Sequence, residues 1–103
     1  MSKIPPLPSH KGHRKTIKDI YGKSVSYTII DEITHKQSDN PEKAFYLQKL
    51  KWDDGTIELR LCYYMIGKKP RMRGKWAYAQ SAPMISPVDL RSLLVRAKKQ
   101  KFF

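Results

Sequence analysis

One cysteine in 103 residues, Cys62, excludes an internal disulfide framework and a cysteine-based zinc site. Long apolar runs are missing too: no window approaches the ~18–20 consecutive apolar residues that span a bilayer. The opening residues 1–8, with Pro5, Pro6 and Pro8 among them, lack the uninterrupted apolar stretch of a signal peptide. Acidic residues are scarce, 9 against 21 Lys+Arg, and after Ile66 only Asp89 is acidic. The expectation is a small, basic, soluble protein with no membrane partner, placed inside the cell: cytoplasmic or nucleoid-associated, or nuclear in a eukaryotic or viral setting.

The net charge of +12 is uneven along the chain. Residues 1–23 hold six basic groups against Asp19, residues 24–65 hold five against seven acidic ones, and residues 66–103 hold ten against Asp89. Such a concentration of like charge opposes folding unless a polyanion offsets it, and nucleic acid is the commonest intracellular polyanion. An acidic protein is the other partner this charge fits.

Roughly 100–150 residues make one domain, so the length allows a single domain. Residues 1–18 read as a flexible basic arm rich in proline, and residues 19–103 as one α+β domain. Residues 24–33, with Val25, Tyr27, Ile29 and Ile33 alternating against mostly polar neighbours, predict a strand; the polar residues 35–42 predict a loop. Two apolar runs, 45–52 and 56–66, flank Asp53-Asp54-Gly55, the signature of a hairpin. A two-residue turn at Asp54-Gly55 pairs Lys49 with Arg60, Lys51 with Glu58 and Phe45 with Tyr64 on one face, leaving Trp52, Leu50, Gln48 and Tyr46 facing the core. Residues 67–74 read as a basic loop, and 75–79 as a fourth strand. Ser86-Pro87-Val88-Asp89 then opens a helix: a serine N-cap, a proline at the first turn and a carboxylate near the free amides. It is expected to run to about residue 101, with Leu90, Leu93, Leu94 and Ala97 on one face. The fold class is therefore a four-stranded antiparallel sheet followed by one C-terminal helix packed on a sheet face.

The segment with most chemistry is Lys68-Lys69-Pro70-Arg71-Met72-Arg73-Gly74-Lys75-Trp76, with Tyr78 just beyond. Lys68, Lys69, Arg71, Arg73 and Lys75 suit phosphates, while Trp76 and Tyr78 offer flat faces to unpaired bases. The same two aromatics also suit a sheet core, and the basic run is similar to a nuclear localisation signal. The directly opposed cations Lys49 and Arg60, sharing a face with Tyr64, extend the candidate nucleic-acid surface across the sheet. Asp53, Asp54 and Glu58 carry a weaker alternative, a metal-dependent nuclease; the turn accounts for the two aspartates and Lys51 for the glutamate. His10, His13 and His35 form no ligand set, and Cys62 reads as a core residue, so no metal, cofactor or catalytic residue is expected.

The order of strands, basic loop and final helix over residues 45–101 resembles the positive-cofactor type of transcriptional coactivator. That resemblance implies a homodimer and a preference for single-stranded DNA. Residues 76–83 depart from the family pattern, being longer and broken by Pro83. The expected function is non-enzymatic binding of single-stranded DNA or RNA. The alternative is a regulatory subunit that holds its basic surface against an acidic partner in a nucleoprotein complex. A core this small also favours a dimer.

Overall fold

Side chains that alternate between the two faces of an extended chain build most of this molecule. A computed structural model describes residues 4–103 and shows a meander of five antiparallel strands followed by a helix. These are β1 (Arg14–Lys18), β2 (Ser24–Gln37), β3 (Asn40–Trp52), β4 (Ile57–Ile66), β5 (Trp76–Tyr78) and α1 (Pro87–Lys99), with the strands side by side in chain order. The α+β class stands, with five strands in place of four. Residues 1–3, which include Lys3 of the expected arm, lie outside the described residues. No helix among the described residues is long and apolar enough to cross a membrane.

The added strand is β1, which pairs with β2 from Arg14 opposite Thr28 to Lys18 opposite Ser24. All five of its residues are exposed, so no buried alternation marks it in the sequence. The loop expected over 35–42 shrinks to a tight turn at Ser38 and Asp39, because β2 runs on to Gln37 and β3 starts at Asn40.

The β3–β4 hairpin forms one residue out of the expected register. Trp52 N–H donates to the Thr56 carbonyl at 2.8 Å and Gly55 N–H to the Trp52 carbonyl at 2.9 Å, enclosing three residues. Gly55 has φ of 92°, whereas Asp54 keeps a negative φ, as a tight turn closed by a left-handed glycine requires. Lys49 therefore stands opposite Leu59, Gln48 opposite Arg60, and Phe45 opposite Tyr63. A one-residue slip moves every β4 side chain to the other face. The Lys49–Arg60 pair and the shared face of Phe45 and Tyr64 do not exist.

A bulge in β2 between Ile29 and Asp31 has a similar effect. Tyr27 and Ile29 pack with Leu50 on one face, whereas Ile33 lies on the other with Phe45 and Leu47. Both faces of β3 are consequently buried. On the first face Leu93 and Ala97 of α1, with Phe102, cover Ile33, Phe45 and Leu47; this is the helix face. On the second, residues 4–12 cross the sheet, and Ile4 and Leu7 pack on the cluster of Tyr46, Cys62, Ile66 and Trp76; this is the arm face.

Helix α1 begins as expected. Ser86 Oγ accepts from Asp89 N–H at 3.1 Å, and the Asp89 carboxylate is clamped by His35 Nε2 at 2.8 Å and the Ser86 hydroxyl at 3.0 Å. The helix stops at Lys99, where Phe102 N–H donates back to the Ala97 carbonyl and Lys101 takes φ of 59°. Leu94, expected on the buried stripe, is exposed.

Candidate nucleic-acid interface

The basic residues between β4 and β5 form a folded loop. Gly67 N–H donates to the Lys75 carbonyl at 2.9 Å, Gly74 N–H to the Gly67 carbonyl at 3.1 Å, and Lys75 N–H to the Met72 carbonyl at 2.9 Å. A Cβ on residue 67 would overlap the Met72 backbone, so the loop closes only over glycine. Its backbone bonds turn inward and its side chains outward. Lys68, Lys69, Arg71, Arg73 and Lys75 are all exposed. Lys68 Nζ reaches Glu42 at 3.0 Å; the other four have no ion pair among the described residues. An exposed pair of this kind is worth about 0–1 kcal/mol, so Glu42 holds Lys68 only weakly.

The aromatics divide differently. Trp76 is 8% exposed, packed in the arm-face core, and its indole N–H donates to the Pro5 carbonyl at 2.9 Å. It is a core residue and offers no face to a base. Tyr64 is half-buried, with the His10 ring lying parallel on it at 5.1 Å between centroids. Burial pushes its phenol up to about 12. Tyr78 is 48% exposed, edge-on to Tyr64, with the Arg60 guanidinium 5.9 Å from its centroid. Of the three predicted stacking residues, Tyr78 alone is open.

Arg60 and Lys49 lie on opposite faces. Arg60 donates from Nε and Nη2 to Gln48 Oε1, at 3.0 and 2.6 Å, and from Nη1 to the Tyr27 hydroxyl at 2.8 Å. Gln48 is wholly buried and passes the chain on, donating from Nε2 to Glu32 Oε2 at 2.7 Å; His10 Nδ1 lies 3.2 Å from the same oxygen. This buried polar chain was not legible from the sequence, since the displaced register placed Gln48 among apolar neighbours. Lys49 is on the helix face, its Nζ 3.4 Å from the Lys101 carbonyl.

The carboxylates of the β3–β4 turn have local duties. Asp53 accepts two bonds from Arg14, at 2.7 and 2.5 Å, and the Arg14 hydrogen bond holds its carboxyl below the usual range. Asp54 accepts from Thr56 N–H at 2.9 Å, and Glu58 from the Trp52 indole at 2.6 Å. Among the described residues no three His, Cys, Asp or Glu side chains stand together as a metal site. Cys62 is buried, and burial pushes its thiol up, so it is held protonated.

Comparison with known proteins gives no match to a family model, to a curated protein or to a solved structure. The resemblance in element order to the transcriptional coactivators thus brings no family match with it.

Proposed function

We propose that this protein binds nucleic acid without processing it, and prefers single strands of DNA or RNA to duplex. The observation that carries this reading is the loop itself: Lys69, Arg71, Arg73 and Lys75 are exposed, free of carboxylates among the described residues, and continuous through β5 with the open ring of Tyr78. A strand laid along the loop would exchange counterions for these cations, and one base would stack on Tyr78 beside Arg60. Preference for single strands is supported by how α1 is held: its inner face covers the sheet and its N-terminus is clamped by His35 and Ser38, so it is not poised as a groove-reading helix.

Charge reversal at Lys69, Arg71 and Arg73 tests it. Each phosphate contact contributes about −0.7 to the slope of log K against log salt on single strands, so the triple variant should flatten that slope by about 2. Unchanged affinity and slope would remove the loop from the interface.

A second reading, a subunit docked on an acidic protein, is favoured by the outer face of α1. There Leu90, Leu94, Val95 and Phe103 line an apolar groove flanked by Arg91 and Lys98. Binding of an acidic amphipathic peptide, with no binding of nucleic acid, would support it.

A further inference from the structure

The two edges of the sheet are treated differently. β1 closes one edge with Arg14, Lys15 and Lys18 on five exposed residues, and two such edges would repel each other. At the other edge β5 is only three residues long and covers β4 at Tyr64, Met65 and Ile66. Ala79 N–H extends this cover to the Tyr63 carbonyl at 3.0 Å, and among the described residues no strand continues along residues 57–61.

The parity of the uncovered stretch is fixed by what lies above it. Gly67 N–H and the Tyr63 carbonyl both point away from β3, toward β5 and its flanks. The β3–β4 register runs without a shift from Lys43 opposite Met65 to Lys51 opposite Ile57, so Leu61, Leu59 and Ile57 also direct their N–H and C=O groups outward. Among the described residues these outward groups have no hydrogen-bond partner in the protein. The side chains beside them are Ile57 and Leu59, 45% and 40% exposed, on the part of the helix face that α1 does not cover.

We propose that β4 pairs with β4 of a second copy, antiparallel about a two-fold axis through Leu59, joining two five-stranded sheets edge to edge. The register follows from the residues. With Leu59 opposite its own copy, Ile57 meets Leu61 and all the outward groups of residues 57, 59 and 61 are paired. Glu58 then stands opposite Arg60 of the other copy on the arm face, an unlike-charge pair at cross-strand distance. An axis through residue 58 sets glutamate against glutamate, and one through residue 60 sets arginine against arginine. An axis through Leu61 is blocked, because it needs Tyr63, whose carbonyl already accepts from Ala79. Leu59 is thus the centre that satisfies backbone, apolar side chains and charge together. This pairing does not depend on what the basic loop binds.

Sedimentation velocity over a concentration series tests it, with Leu59→Lys, Leu59→Cys and Ile17→Cys alongside wild type. Wild type is expected to approach twice the chain mass of 12.1 kDa with rising concentration. Leu59→Lys opposes like charges on the axis and should weaken association at least tenfold while keeping the wild-type circular dichroism. Directly opposed residues in a hydrogen-bonded pair have Cα atoms about 5.5 Å apart, within disulfide range, so mild oxidation should link Leu59→Cys into a covalent dimer. Ile17→Cys, on the repelling edge, keeps the β4 edge and should associate as wild type does, yet form no covalent dimer under the same oxidation. A wild type monomeric throughout, or a dimer indifferent to Leu59→Lys, overturns the proposal; so does a Leu59→Cys protein that folds and dimerises yet fails to cross-link.

Discussion

Asp89 does three things with one carboxylate: it sits in the first turn of α1, accepts from Ser86 and Ser38, and ties the helix to His35 on β2. The His35 hydrogen bond leads in holding its carboxyl below the ordinary range, against the desolvation that would raise it. The sign of the pH effect follows. As acid is added the unfolded chain takes up this proton first, near pH ~4, so the stabilisation is whole above that value and disappears as pH falls through the lower folded value. Asp89→Asn should cost about 1–3 kcal/mol at neutral pH, and urea melts should show the gap to wild type closing in acid. Lys101 is the opposite case, a side chain in the left-handed conformation that usually ends a helix on glycine. Lys101→Gly should raise stability by about 0.5–1 kcal/mol, read as a higher urea midpoint with the same m-value. Neither the clamp on Asp89 nor the strain at Lys101 is visible as sequence spacing, although the serine cap and the carboxylate were.

Among the elements, β3, β4 and α1 were legible because each carries its own period and its own punctuation. Asp-Gly announced the hairpin but is compatible with loops of two or three residues, and that single residue decided the face of everything on β4. The bulge in β2 has no residue signature and moved Ile33 away from Tyr27 and Ile29. β1 was missed because five exposed residues show no buried stripe. In the candidate site the loop cations were legible, since charge declares itself. The burial of Trp76 was not, because it depends on a carbonyl 71 positions earlier in the chain. The loop also rests on Gly67. Gly67→Ala should force residues 68–74 off the close approach to Met72, at about 1–3 kcal/mol, and weaken nucleic-acid binding in the same variant. Wild-type binding after that substitution would show that the loop's folded shape is irrelevant to the interface.

For the whole molecule, the +12 charge resolves into a sheet whose carboxylates are mostly engaged and a periphery whose cations mostly are not. Residues 4–12 occupy the arm face, burying Trp76 and stacking His10 on Tyr64, which leaves the loop cations and Tyr78 exposed. Edge pairing through β4 would present two such loops in one assembly. A two-copy protein should then bind long single strands more tightly than strands that reach one loop, a difference Leu59→Lys should abolish. The central claim is tested most directly by fluorescence anisotropy with labelled single-stranded DNA, single-stranded RNA and duplex DNA at two salt concentrations. An interface built from the loop cations and Tyr78 predicts binding that is tighter for a single strand than for duplex and falls steeply with salt. Absence of binding to all three at the lower salt would contradict it.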